Sequence, residues 1–303
     1  MTNDDGSRQS WLRPLLGPAE HTAALARGEL FERAGRVVQP DRRLSQLVGR
    51  RPPGVTTRQW SVATRAQFDF VVCDPTDHRP EFVVAFVDPA TRTTGQQRDE
   101  RMTDAVCEAL GLELLRVESP AFAAAGLGRR VVEYILDARA FQRIGGVDGV
   151  DPDGSTVGQP GYRDIVGRLP DGRTGYVNDL GAVARARAVE AFVGRQLSDP
   201  LLRGLHVRWK DGSAEGWAWL SVREGRFLFE RVRICPHRLQ CGIEPARFAE
   251  DLAAAAVGER LKTLELVEPE LCDRAQLRRR LHALRERRAQ MSGEFAFDHV
   301  AFD

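Results

Sequence analysis

Two apolar runs of strand length, Phe68–Cys73 and Phe82–Val87, flank a segment rich in turn formers. This arrangement limits the available folds more than any other feature of the chain. β-Branched and aromatic residues fill both runs, as strands require. Between them Asp74, Pro75, Asp77, His78 and Pro80 supply turn chemistry, so the two runs are expected to pair as an antiparallel hairpin. Gln97–Leu110 follows with Met102, Val106, Ala109 and Leu110 at helical spacing, and Gly111 is placed to end that helix. Leu112–Val117 is a short apolar strand that can return to the same sheet.

Two carboxylates interrupt this frame. Asp69 sits inside the first strand and Asp88 ends the second. Each reads either as a strand-edge carboxylate or as half of a functional pair, and the residue types alone leave both open.

The wider pattern resembles a bacterial family of restriction-endonuclease-like domains of unknown function in the PD-(D/E)xK superfamily, relatives of the very-short-patch-repair endonucleases. Its members carry an aspartate in a strand, an acidic strand end of the form I-E-L-D, a loop often containing histidine, an R-D at a helix start and a closing G-L-x-L-L-R. This chain has F-D-F at Asp69, A-F-V-D at Ala85–Asp88, Gln97-Arg98-Asp99, and G-L-E-L-L-R from Gly111. The similarity extends back through the segment from Leu15 to Val48, which looks like the family's opening helix and first strand. It covers the first third to half of the chain.

The resemblance implies a site in which strand carboxylates, here Asp69 and Asp88, hold a divalent cation such as Mg2+ that activates water. It also exposes departures. Phe86 stands where the family has the glutamate of I-E-L-D, and no histidine lies near Arg92 in the loop. Residues two apart on a strand share a face, so Phe86 sets an apolar ring beside Asp88. Asp69 and Asp88 alone suit a hard cation poorly. The implied reading is a degenerate nuclease, with Gln97 and Arg98 near the vestigial site. The alternative is a working metal-dependent endonuclease in which Glu81 or Asp99 completes the set.

With 303 residues the chain has room for two domains. A net charge of +1 makes no global case for nucleic acid or membrane. Arginine supplies nearly all the positive charge, since Lys210 and Lys262 are the two lysines. There is no apolar run long enough to span a bilayer. The start, Met1–Ser7, is acidic and polar rather than signal-like, so a cytoplasmic location is expected. Five scattered cysteines suggest no disulfide framework.

In chain order, residues 1–10 read as a tail. Pro18–Ala34 reads as an amphipathic helix with Ala19, Leu25, Ala26 and Leu30 on its apolar side and Gly35 beyond its end. Val37 and Val38 begin a strand, Arg50–Gly54 is a turn and Trp60–Ala66 a short strand. Ser119-Pro120 opens a helix toward Ala138, with Val131, Val132, Tyr134, Ile135 and Leu136 suited to packing on a sheet. Gly145–Gly161 is rich in glycine, aspartate and proline and lacks apolar periodicity, which marks a linker.

The second half shows a helical pattern over Ala182–Leu197 with Val183, Ala186, Val189 (or Glu190) and Val193 on one side. A meander follows, with strands Leu205–Lys210, Trp217–Val222 and Phe227–Val232 joined at Asp211-Gly212 and Glu224-Gly225. Pro245–Val257 is a helix that Gly258 would close. Trp217 and Trp219 share a strand face, with Phe227 and Phe229 across from them. That face could stack bases or form the core beneath the two flanking helices. Cys235, His237, Cys241 and Cys272 have poor spacing for zinc and read more simply as buried cysteines near a proline turn.

Asp273–Gln290 is the one clearly basic segment, with Leu277, Leu281 and Leu284 as a narrow stripe. Arg274, Arg278, Arg279, Arg285 and Arg288 are its candidate contacts to nucleic acid or to an acidic protein partner, against the alternative of a solvated helix with one packed edge. The expected architecture is thus a restriction-endonuclease-like α/β domain over residues 11–143, a linker over 144–161, and an α+β domain over 162–303. The last comprises a helix, a three-stranded antiparallel meander, a helix and a terminal basic helix.

Overall fold

The computed structural model describes residues 11–124, 127–148, 162–169, 172, 174–264, 270–292 and 296–298. The chain divides into two compact units, Met1–Ala140 with Cys235–Gln240, and Phe141–Ile234 with Cys241–Asp303. The tail expected over residues 1–10 lies outside the described residues. Among the described residues no helix is long and apolar enough to cross a membrane.

The first unit begins with helix α1 (Pro18–Ala26). It stops well short of the Ala34 expected from periodicity, because Gly28 turns left-handed at φ 70°. The next residues form a hairpin instead. Strands β1 (Phe31–Arg33) and β2 (Arg36–Arg43) pair antiparallel, with Ala34 and Gly35 both at positive φ between them, 49° and 69°. Two positive-φ central residues match the right-handed twist of the flanking strands. Leu30 is buried, whereas Leu25 is 40% exposed, so only part of the expected apolar side faces inward.

Short helix α2 (Leu44–Leu47) leads to α3 (Thr57–Ala63). The latter replaces the strand expected over Trp60–Ala66. Thr56 explains the difference: its side chain accepts the Gln59 N–H, and the Gln59 carboxamide accepts the Thr56 N–H in return. This reciprocal capping starts a helix whatever the β-propensity of the residues after it.

Strands β3 (Gln67–Cys73) and β4 (Pro80–Val87) form the expected antiparallel hairpin, with Phe70 opposite Val84. Helix α4 (Thr94–Leu110) follows, capped by Thr93 and closed by Gly111 at φ 70°. Its buried side carries Thr103, Val106, Cys107 and Leu110, so Met102 and Ala109 lie off the packed stripe. Strand β5 (Glu113–Glu118) then runs parallel to β4. The sheet of this unit is ordered β1-β2-β3-β4-β5. One of its cores joins Val71, Val83, Ala85 and Leu114 to Val106, Cys107 and Leu110 of α4. Short helix α5 (Pro120–Ala124) precedes α6 (Leu127–Asp148), in which Val131, Val132, Tyr134, Ile135 and Leu136 are all buried. Helix α6 continues through Asp148, so the expected linker is helical over its first residues. Residues 149–161 lie outside the described residues.

The second unit holds a small hairpin, β6 (Val166–Arg168) and β7 (Thr174–Tyr176), then helix α7 (Ala182–Val193). Its inward face is Ala184, Ala188 and Ala191, not the valine-bearing face expected, and Val193 is 75% exposed. The reason is close approach. Strand β8 (Arg203–Arg208), β9 (Ala214–Arg223) and β10 (Arg226–His237) form the antiparallel meander, and α8 (Pro245–Lys262) follows. Gly258 does not end α8; it lies within the helix, where a Cβ would meet the Ala184 methyl carbon at 2.6 Å. Alanine against glycine lets α7 and α8 touch nearly backbone to backbone. Gly216 of β9 is tighter still, since a Cβ there would lie 2.1 Å from the carbonyl carbon of Ala249 in α8.

Strand β11 (Cys272–Asp273) pairs with β10, and helix α9 (Arg274–Glu286) follows at once, capped by Asp273. Strand β12 (Ala296–Asp298) pairs with β8.

Candidate functional site

In the first unit, the Asp69 side chain replaces a piece of the sheet. The described β3–β4 register ends at Phe70 opposite Val84, and beyond it Asp69 Oδ2 accepts the Phe86 N–H at 2.7 Å. A carboxylate thus takes a backbone donor that a continued ladder would have satisfied. Burial pushes the Asp69 pKa up, and the Phe86 N–H bond works in the opposite direction. Asp88, one residue past β4, turns its own loop: Oδ1 accepts the Ala90 N–H at 2.9 Å and its carbonyl accepts the Thr91 hydroxyl at 3.3 Å.

Both aspartates line one cavity of about 520 Å³, together with Asp99, Glu100, Arg65, Arg92 and Arg116. Much of this charge is already committed. Arg92 donates to Glu118 Oε1 at 2.7 Å and also binds Glu100. Arg116 donates twice to Asp104 Oδ1, at 2.8 and 2.6 Å. Glu81, one of the two acids considered as a third ligand, is held by Arg36 at 2.8 Å and does not line the cavity. Gln97 and Arg98 do not line it either; both are exposed on α4. Gln96 lines it instead, while its carboxamide accepts the Thr93 N–H at 2.7 Å.

The Phe86 ring belongs to an aromatic stack. It lies 5.9 Å from the Phe122 ring at an interplanar angle of 15°, and 6.3 Å from Phe70 edge-on. Phe70 in turn meets Phe31, over which Arg129 places its guanidinium at 4.2 Å. Helix α6 closes on this stack at Gly128, where a Cβ would come within 2.7 Å of the Phe86 ring. Asp69 is engaged by a backbone donor, Glu100 by Arg92, and position 86 contributes a packed ring rather than oxygen. Among the described residues no three His, Cys, Asp or Glu side chains are grouped to hold a metal.

In the second unit the tryptophan face is core, covered in an unexpected way. Trp209, Trp217, Trp219, Phe227 and Phe229 are buried against Leu277, Leu281 and Leu284 of α9, with Met291 and Cys272 at the edges. The helices flanking the meander in sequence do not cover it; the basic helix does. Trp217 and Phe229 meet edge to face with centroids 5.3 Å apart, and Trp217 Nε1 donates to Glu215 at 2.6 Å. Arg280 and Arg287 lie over the Phe229 and Trp209 rings at 4.4 and 4.0 Å. Arg274, Arg278, Arg279, Arg285 and Arg288 are all exposed. Cys272 packs in this cluster, and His237 lies 3.5 Å from Asp104.

These elements define an α/β protein whose first unit has a mixed five-stranded sheet with a helical crossover between its parallel strands. Residues 54–134, from just before α3 into α6, match the model of a family described as "Protein of unknown function (DUF2726)". No curated protein and no solved structure matches the chain.

Proposed function

We propose that the first unit is a restriction-endonuclease-like domain that has lost cleavage, and that the chain binds nucleic acid without cutting it. The observation that carries the loss of chemistry is Phe86, stacked on Phe122 and edge-on to Phe70 where the resemblance calls for an acidic ligand. The element order of a helix, four antiparallel strands with α2 and α3 between the second and third, a helix and a parallel strand supports the fold assignment. Binding rests on α9, whose leucines fix one side in the core while five arginines remain exposed on the other. Such a helix presents positive charge at low entropic cost, because its backbone is already ordered.

The test measures DNA retention against salt for the full chain and for a variant with Arg274, Arg278, Arg285 and Arg288 changed to alanine. Removing α9 altogether is unsuitable, since its loss would uncover the tryptophan cluster. Each lost phosphate contact should flatten the slope of log affinity against log salt by ~0.9. The parent should leave DNA intact in magnesium or manganese. DNA cleavage by the parent, abolished by Asp69→Ala or Asp88→Ala, would instead identify an active endonuclease. No retention of DNA by the parent would overturn the nucleic-acid reading and leave an acidic protein partner or a solvated helix.

A further inference from the structure

A second cavity, of about 510 Å³, lies wholly within the second unit, between the β6–β7 hairpin, α7, the meander and α8. Its size is in the range of small-molecule sites. Its floor is made of residues too small to fill it: Gly204 and Ala218 from the meander, Ala182 and Ala186 from α7, and Ala254 from α8. A layer built only for stability would place larger apolar side chains there.

The walls carry charge instead. Arg163, Arg185, Arg203 and Arg247 line the cavity against two carboxylates, Asp179 and Glu250. Both carboxylates are buried and occupied. Asp179 accepts the Gly181 N–H at 2.7 Å and binds Arg185, while Glu250 lies 2.6 Å from His206 Nδ1. Gly204 makes room for Glu250, since a Cβ there would sit 2.3 Å from its Oε1. Asp251, adjoining the site at 1% exposure, is 3.0 Å from Arg163, yet neither of its oxygens has a hydrogen bond. Arg247 is exposed and forms no ion pair among the described residues. Arg185 gives Nη1 to Asp179, leaving other N–H groups of its planar fork for a ligand. Tyr176, Val189 and Leu202 supply an apolar wall.

We infer that this cavity binds a small organic anion, with its oxyanion group on the Arg185–Arg247 side and its apolar body against Tyr176 and Val189. Guanidinium forks recognise both planar carboxylates and tetrahedral phosphate monoesters, so the experiment includes both. The full chain is titrated by calorimetry with benzoate, phenyl phosphate, inorganic phosphate and benzamide. Saturable one-to-one binding of benzoate or phenyl phosphate is expected, with no heat from neutral benzamide. The tighter of the two anions identifies the oxyanion class, and weaker binding of inorganic phosphate than of phenyl phosphate shows that the apolar wall contributes. Arg247→Ala should weaken binding at least tenfold, and Arg58→Ala, exposed on α3 of the first unit and outside the cavity, should leave it unchanged. Absence of saturable binding by either organic anion overturns the inference. So does equal binding of benzamide, or an Arg247→Ala variant that binds as the parent does.

Discussion

Replacing Phe86 by glutamate asks directly whether its ring fills a former ligand position. The ring contacts Phe122 and Phe70 and is closed over by Gly128. Phe86 is half-buried and lines the cavity, so its burial contributes roughly half of the about 1.5–3 kcal/mol of a fully buried phenylalanine, and each aromatic pair adds about 0.5–1.5 kcal/mol beyond area. A carboxylate returns little of this and must itself be desolvated, so Phe86→Glu should cost about 3–5 kcal/mol. Because the chain has two units, a global melt would mix their responses. Hydrogen exchange of peptides covering residues 67–87, read in the full chain, isolates the relevant opening. Protection there should fall by roughly two to four powers of ten, at about 1.4 kcal/mol per power, while peptides covering residues 203–234 stay as in the parent. Magnesium should recover part of the loss in the variant, because a third carboxylate adds charge and an oxygen donor. At a hundred times its Kd the ion would restore ~2.7 kcal/mol. Unchanged protection of β3 and β4 without metal would refute the argument, since it would mean that the ring does not support the fold.

Three further outcomes follow from packing and charge. Gly216→Ala should cost about 3 kcal/mol or more, as the added carbon meets α8 backbone at 2.1 Å; hydrogen-exchange protection of residues 203–234 equal to the parent's would show that the two elements can part cheaply. Trp217→Ala should cost ~3 kcal/mol or more through the cavity left under α9, checked by exchange of the same peptides. Asp251 has its pKa raised well above the usual carboxylate value, chiefly by burial, with Asp179 adding to the shift and Arg163 and Arg185 opposing it. Its folded-state proton affinity therefore exceeds that in the unfolded chain. The resulting stabilisation is complete below the unfolded value, near 4, and is lost as pH rises through the folded one. Asp251→Asn should then gain stability relative to the parent at pH 7.5 compared with pH 4.5, and a constant difference across that range would contradict it.

The sequence disclosed most where one residue type decides a local conformation. The β3–β4 hairpin, Gly111 as the end of α4, and the buried run Val131–Leu136 were all readable, because turn chemistry and periodicity agree there. Trp60 and Val62 favour a strand by propensity, but the Thr56/Gln59 capping pair, equally legible in the sequence, starts helix α3. Hydrophobicity alone turns the valine face of α7 inward, yet close helix approach selects the smaller alanine side chains. Glycine at position 258 reads as a helix end, but glycine also serves where two backbones meet. The site was legible in part. Asp69, Asp88 and Asp99 do line one cavity, but the ion pairs of Arg92 and Arg116 join residues separated in sequence by folding, which no local pattern encodes. The small-residue floor of the second cavity was likewise hidden, since glycine and alanine carry no chemical signature of the space they leave.

Seating α9 on the tryptophan cluster has an optical consequence. Arg287 holds its charge 4.0 Å from the centre of the Trp209 ring, and Trp217 and Trp219 lie in the cluster that the same helix covers. Indole emission shifts with nearby charge and with access of water. A displacement of the helix by whatever engages its exposed arginines would therefore change the emission of these residues. The protein carries a built-in fluorescent reporter beneath the helix where nucleic-acid binding is proposed, and no label is needed to read it.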